Sequence, residues 1–260
     1  MLIDSHCHLN YKEYASMKEV KSKALEMGVD TFIAIGASDG LKSCYETIDL
    51  AKDEDNVFAT VGIHPHDAKL YTDDVHSEIN RLALEETVVA IGEIGLDYYY
   101  DHSPRELQIE VFKKQLNIAK KLNLPIVIHT RDAEEDTIKV LSEFRKENSS
   151  AKILFHCFSS SQNLADFAIS IDAYISFSGI ITFKNAEELR AIVKNTPMDK
   201  ILVETDSPYL SPTPFRGKKN HPAYVSYVAK KVAEVKNIDE TEVIKTTREN
   251  TINFFGLNIK

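Results

Sequence analysis

Cysteine is scarce in this chain. The three present, Cys7, Cys44 and Cys157, are odd in number and lack C-x-x-C spacing. That speaks against a disulfide framework or a zinc knuckle and for a reducing, cytoplasmic setting. Glycine and proline are scarce too, and 9 plus 8 of 260 residues exclude a collagenous, linker-rich or low-complexity chain. No apolar run approaches the roughly 18–20 residues that span a bilayer. The opening Met1-Leu2-Ile3-Asp4-Ser5-His6 lacks the basic start and apolar stretch of a secretory signal. Positive charge is in deficit: 31 Lys+Arg against 40 Asp+Glu leave a formal charge of −9. A broad basic face for duplex nucleic acid is therefore not expected, whereas a small site drawing positive charge from bound metal is compatible. The remainder, 43 % apolar and 27 % charged, is ordinary for a globular protein able to bury a substantial core.

Eight short β-branched or apolar runs alternate with longer amphipathic stretches. They are Leu2–His8, Asp30–Gly36, Val57–His64, Val88–Leu96, Pro125–Thr130, Lys152–Phe158, Ala173–Ser178 and Ile201–Asp206. Such near-continuous apolar runs mark parallel strands covered on both faces. Between them, Ser103-Pro104-Arg105-Glu106 reads as a capping box with proline at the first helical position. Phe112, Leu116, Ala119 and Leu122 then form one buried stripe. Asn10-Tyr11-Lys12-Glu13, Asp132-Ala133-Glu134-Glu135 and Asn185-Ala186-Glu187-Glu188 repeat the cap-to-acid spacing. Lysine and glutamate on the other faces read as solvated helix surface. Strict alternation of β and α implies right-handed crossovers and a parallel sheet. Eight such units in this length fit a closed (β/α)8 (TIM) barrel better than an open doubly wound sheet. No Gly-x-Gly-x-x-Gly follows the first run, so the dinucleotide-binding version loses its main support. With no linker, repeat or boundary visible, residues 1–260 are expected to form a single α/β barrel domain.

The chemistry-bearing residues fall at the C-terminal ends of these runs, where barrel active sites are built. They are His6 and His8 on the first, His64 on the third, Glu93 on the fourth, His129 on the fifth, His156 on the sixth and Asp206 on the eighth. Alternation puts His6 and His8 on one face and Cys7 on the other, so Cys7, and likewise Cys157 beside His156, is expected to pack outward. Asp4 and Glu204 share parity with the ligand-type residues and could orient them. Four histidines and two carboxylates at equivalent depth on five strands are hard to explain as packing, since each unpaired buried polar group costs about 1–3 kcal/mol. Six ligands exceed the needs of one tetrahedral ion with an open position, so two divalent ions with a bridging carboxylate are expected. Glu93 is the expected bridge, with His6, His8 and Asp206 on one ion and His129 and His156 on the other.

At these residues the chain resembles the TatD family of metal-dependent deoxyribonucleases. The matching stretches are Ile3-Asp4-Ser5-His6-Cys7-His8-Leu9, Gly62-Ile63-His64-Pro65-His66, and Ala90 through Tyr98. They continue in Pro125 through Arg131, Phe155-His156-Cys157-Phe158-Ser159, Glu204 through Leu210, and Arg216-Gly217-Lys218-Lys219-Asn220. The resemblance runs from residue 1 to about residue 222. It implies a TIM barrel of the metallo-dependent hydrolase type and a binuclear divalent-metal site (Mg, Mn or Zn) held by His6, His8, Glu93, His129, His156 and Asp206. It also implies hydrolysis of DNA phosphodiesters by metal-activated water, as a 3′-5′ exonuclease on single-stranded ends. Ser159-Ser160-Ser161 departs from the family's usual Ser-Gly-Ser turn, and Ser160 does not suit a positive φ.

In that chemistry Glu93 and Asp206 are the catalytic carboxylates, with Asp206 as general base acting mainly by positioning. His64, Arg131, Arg216, Lys218 and Lys219 are candidate phosphate contacts, and Tyr98-Tyr99-Tyr100 could stack on unpaired bases or pack beneath a loop. The charge balance suits a small footprint at a strand end. A monomer is plausible and no membrane contact is expected. The alternative is an amidohydrolase, esterase, lactonase or aminoacyl-RNA ester hydrolase on the same barrel, which fold alone does not separate. Many of those relatives bridge their metals with a modified lysine, and no lysine lies near these strand tips.

Overall fold

Apolar side chains at alternate and adjacent positions are realised as eight parallel strands that pair in chain order, first to eighth. The computed structural model describes residues 1–11, 14 and 16–259. In chain order the strands and α-helices are β1 (Leu2–Cys7), α1 (Met17–Glu26), β2 (Val29–Gly36), α2 (Leu41–Asp53), β3 (Val57–Val61), α3 (Asp73–Leu82), β4 (Val88–Asp97), α4 (Arg105–Leu122), β5 (Ile126–Arg131), α5 (Glu134–Glu147), β6 (Ile153–Phe155), α6 (Gln162–Ser170), β7 (Tyr174–Phe177), α7 (Glu187–Asn195), β8 (Ile201–Val203), α8 (Val225–Lys236) and α9 (Glu240–Phe255). β1 and β8 share no full ladder. They meet through a single bridge, Cys7 to Ser207, with Asp206 N donating to the His6 carbonyl at 2.9 Å and His8 N to that of Ser207 at 2.8 Å. The result is a nearly closed (β/α)8 barrel.

Strand alternation sorts the core into two layers. Ile3, Ile33, Ile35, Ala90, Val127, Leu154 and Leu202 cluster with Phe254, Phe255 and Leu257 from the end of the chain, so α9 packs its tip against the barrel interior. The intervening positions Phe32, Ala34, Val61, Ile91, Ile128 and Phe155 face the helices and meet Ile48, Phe112, Leu116 and Val140. Each fully buried large aliphatic or aromatic side chain contributes on the order of ~1.5–3 kcal/mol. The expected stripe on α4 is present, with Phe112, Leu116 and Ala119 buried and Leu122 packed at its margin.

The runs overshoot the strands at the rim. β3 ends at Val61, β6 at Phe155 and β8 at Val203, so His64, His156, Glu204 and Asp206 stand on loops just past strand ends. Three capping expectations are corrected. α4, α5 and α7 start from Pro104, Ala133 and Ala186 without a side-chain cap. The Ser103 hydroxyl is engaged elsewhere, donating to the His66 carbonyl and accepting from Lys69 N, and Asp132 sits at φ 52°. Nothing in the structure explains the missing Asn185 cap. The fourth expected cap includes Lys12 and Glu13, which lie outside the described residues. Side-chain caps do occur at Ser16, Thr72, Ser161 and Asp239. Ser160 avoids the left-handed region, so serine suits that turn.

One position at the rim of β4, Gly95, tolerates no side chain. Its φ is +143°, and a Cβ there would lie 2.0 Å from the His129 carbonyl oxygen on β5. Gly95→Ala is expected to cost about 2–5 kcal/mol, from overpacking plus backbone strain. Denaturant unfolding checks this, and an unchanged midpoint would show that β4 and β5 can separate freely.

Candidate metal centre

Glu93, Gly95 and Asp97 are alternate residues of β4, so the two carboxylates project from the same side of the strand. Glu93 is buried and its two oxygens face different partners. Oε2 lies 3.5 Å from His6 Nε2. Oε1 lies 2.7 Å from both His129 Nδ1 and His156 Nε2, and 3.4 Å from His64 Nε2. Asp206 Oδ1 completes the His6 side, 3.6 Å from His6 Nε2 and 3.4 Å from His8 Nε2. All six expected ligand residues therefore meet at one end of the barrel. His6 and His156 also stack, with ring centres 3.9 Å apart at 10°, so the two expected ligand groups adjoin instead of standing apart.

The spacing suits coordination better than hydrogen bonding. Donors around a tetrahedral ion with bonds of about 2.0–2.1 Å lie about 3.4 Å apart, close to the 3.4–3.6 Å found around His6 and Asp206. Neither ring nitrogen of the fully buried His6 has a hydrogen-bond partner. Such an orphan costs about 1–3 kcal/mol, which an ion at Nε2 would remove. Three trios place their donor atoms within 4.8 Å of one another: His6, His156 and Asp206; His6, His8 and Glu93; His64, Glu93 and His129. The residues present fit a divalent ion.

Buried carboxylates set the orientation of two of the imidazoles. His129 points Nε2 at Asp97 Oδ2, 3.0 Å away, leaving Nδ1 toward Glu93. His156 points Nδ1 at Glu204 Oε1, 3.3 Å away, leaving Nε2 toward Glu93. This is the carboxylate–histidine pairing that fixes tautomer and ring direction at metal sites. Asp4 acts one step further out, accepting from Thr205 N at 2.8 Å and from its hydroxyl at 2.5 Å. It thereby holds the loop that carries Asp206.

Electrostatics follow the same geometry. Burial opposes charge on Glu93, but His156, His64 and His129 together hold its carboxyl well below the usual range. Asp206 is likewise lowered, burial being outweighed by His8 and His6. His129 and His156 are raised against burial, the first by Asp97 and Glu93, the second by Glu93 and Glu204. His64 is pushed by burial down to about 4. Its Nδ1 accepts from His66 N at 3.1 Å, so the neutral ring carries its proton on Nε2, facing the site.

Asp97 and His66 went unassigned in the sequence reading. Asp97 was detectable, being two positions from Gly95 and four from Glu93 in the strand alternation. Cys157 corrects the expectation of an outward thiol. β6 has ended, Cys157 sits at φ 43°, and its side chain lines the cavity with Sγ 3.2 Å from Ser178 Oγ. Cys7 packs as expected, fully buried with Sγ near the Ile33 carbonyl. Arg131 and His64 line the cavity, but Arg216 and Lys218 do not. Arg216 instead covers the Phe183 ring at 3.6 Å.

With this site in view, the comparisons are specific. The TatD related DNase family matches residues 3–256. The chain belongs to that family. The uncharacterized metal-dependent hydrolase YabD of Bacillus subtilis (strain 168) is 40 % identical over 259 residues, covering 99 % of this chain and 100 % of YabD. The uncharacterized metal-dependent hydrolase YcfH of Escherichia coli (strain K12) is 39 % identical over 263 residues, covering 99 % and 96 %. The crystal structure of the TatD homologue YJJV from Escherichia coli K12 matches with a TM-score of 0.91 at 25 % identity, covering 99 % and 98 %. The phosphotriesterase homology protein of Escherichia coli, solved with phosphate in its active site, shares the fold at a TM-score of 0.68 and 16 % identity, covering 98 % of each chain. This TatD-family protein is a metal-dependent hydrolase.

In this hydrolase Asp97 offers one oxygen to two histidines and the other to the backbone N–H groups of Tyr99 and Tyr100. Asn at this position keeps one oxygen and must turn its NH2 toward donors. Asp97→Asn is therefore expected to lose about 3 kcal/mol of stability and about 10–100-fold in metal affinity. Urea unfolding and metal titration check both, and unchanged values would show that Asp97 does not set the His129 ring.

Proposed function

We propose that this TatD-family hydrolase cleaves phosphodiester bonds in DNA from single-stranded 3′ ends, at two divalent ions bridged by Glu93. The observation that carries the reading is the division of the Glu93 oxygens between His6 on one side and His129 and His156 on the other. In this assignment His6, His8 and Asp206 would hold one ion, and His129 and His156 the other. Bound ions would supply Lewis acidity toward phosphoryl oxygens and lower the pKa of a water. Imidazoles suit Zn or Mn, and the carboxylates admit Mg.

The chain's own residues do the rest. Asp206, ionised and lowered in pKa, serves as general base chiefly by orienting the attacking water. Glu204 and Asp97 keep His156 and His129 aimed at Glu93. Neutral His64 presents an Nε2–H to a phosphoryl oxygen, and Arg131 supplies charge at the wall. All six proposed ligands come from one chain, so a monomer is a complete working unit. The three free thiols fit a cytoplasmic enzyme, and no helix among the described residues is long and apolar enough to cross a membrane. The cavity, about 1670 Å³, exceeds the ~300–1,000 Å³ of small-ligand clefts. Phosphate in the active site of the Escherichia coli protein of the same fold supports a phosphoryl substrate.

One observation favours a second reading, hydrolysis of an aminoacyl-RNA ester. The cavity wall carries Asp132, Glu134, Glu135, Asp136 and Glu188, which suit a substrate bearing an ammonium group.

Chelator-treated protein should leave end-labelled single-stranded DNA intact, and Mg, Mn or Zn should restore shortening. Glu93→Ala should lose on the order of 10³-fold or more in rate while keeping its circular dichroism. Cleavage of an ester or lactone but not DNA in every metal would overturn the nuclease reading. Neighbouring carboxylates shift His129 and His156 toward their protonated forms, and the nitrogen that binds an ion must be free of its proton. Metal uptake should therefore liberate protons, and apparent affinity should climb as pH rises through the raised histidine values. Calorimetry in buffers of different ionisation heat tests this, and a pH-independent affinity would remove both histidines from the ligand set.

A further inference from the structure

Past the end of β4, Tyr98, Tyr99 and Tyr100 follow one another and take different roles. Tyr98 turns inward: its hydroxyl donates to Asp136 at 2.7 Å, and Arg105 lies 4.5 Å over its ring. Tyr99 and Tyr100 line the cavity and remain 58 % and 50 % exposed. Arg131, from the end of β5, lies 3.9 Å from the centre of the Tyr99 ring and 4.9 Å from that of Tyr100. His102 runs nearly parallel to Tyr100, at 18° and 5.6 Å.

This aromatic shelf is rigidly tied to the metal centre. Asp97 Oδ1 accepts from Tyr99 N at 3.1 Å and Tyr100 N at 2.9 Å, while Oδ2 receives His66 and His129. One carboxylate thus fixes both a proposed metal ligand and the tyrosine pair. His66 spans the gap, its ring 5.3 Å from Tyr100 and 4.2 Å from His64. Arg131 is held by the sheet itself, accepting from Tyr98 N at 2.9 Å. Among the described residues Arg131 has no carboxylate partner, whereas Arg105, also on this wall, is engaged by Asp101 at 3.0 Å.

We propose that Tyr99, Tyr100 and Arg131 form a subsite for the terminal nucleotide of the substrate, the base stacking on the tyrosines and Arg131 pairing with a phosphate. The proposal deepens the nuclease reading and rests on it. Exposed aromatic faces stack on any base, and a guanidinium lying on a ring keeps its edge available for phosphate. The acid-rich remainder of the wall opposes a long polyanion. One or two nucleotides beside the unneutralised arginine are what this charge distribution admits.

The test compares a base-bearing ligand with its base-free counterpart. Mg-supplied protein titrated calorimetrically with deoxyadenosine 5′-monophosphate and with deoxyribose 5-phosphate should bind the former about tenfold or more tightly. The double variant Tyr99→Ala, Tyr100→Ala should bring that ratio close to one, and Arg131→Ala should weaken both ligands alike. The chain has no tryptophan, so Tyr100→Trp installs a single emitter that the nucleotide should quench and the sugar phosphate should not. A ratio near one in the unaltered protein, or discrimination that survives the double variant, overturns the subsite. Protein that discriminates the base yet leaves single-stranded DNA uncut defeats the nuclease reading and leaves the subsite standing.

Discussion

Burial should drive the Glu93 carboxyl toward its neutral form, yet the imidazoles of His156, His64 and His129 hold it ionised. Much of the barrel rim is arranged to sustain that state. An isolated buried charge is costly enough that a lone carboxylate in this position would take up a proton. Surrounding it with rings is only half of the solution, because the rings are buried too. Asp97 and Glu204 stand behind His129 and His156, and Asp4 secures the loop between Glu204 and Asp206. Charge of alternating sign thus radiates outward from one residue.

That layering explains the division of labour along β4. Glu93 faces the centre, Gly95 lets β5 approach, and Asp97 reaches across to His129, all from one strand with period two. Strand pairing of Gly95 with His129 and Asp97 with Arg131 brings the supporting carboxylate and the cavity arginine to one level. The same geometry accounts for the kinship with metal-dependent hydrolases, since a barrel rim can gather donors from strands far apart in sequence.

Residue types and their order carried much of this. Eight apolar runs read as eight strands, and polar residues at their ends read as one rim, because strand period and barrel topology are local rules summed around a ring. The six expected ligands converge for that reason. What stayed hidden depends on competition between distant groups. Ser103 looks like a helix cap until His66 and Lys69 claim its hydroxyl. Cys157 looks outward-facing until β6 stops at Phe155, two residues before it, and its backbone turns left-handed. The tautomer of His64 is set by a backbone N–H two residues on, and Arg216 stands outside the cavity lining, over the Phe183 ring. None of these partners is implied by spacing alone.

The first and last strands touch through one bridge and two backbone hydrogen bonds, where their neighbours share longer ladders. His6, His8 and Asp206 stand beside that join. A cation seated among them would act as a clasp on the ring's thinnest weld, drawing the two ends of the sheet together. Loading the protein with metal would then do more than arm it: catalytic readiness and the mechanical integrity of the cylinder would share a single fastening.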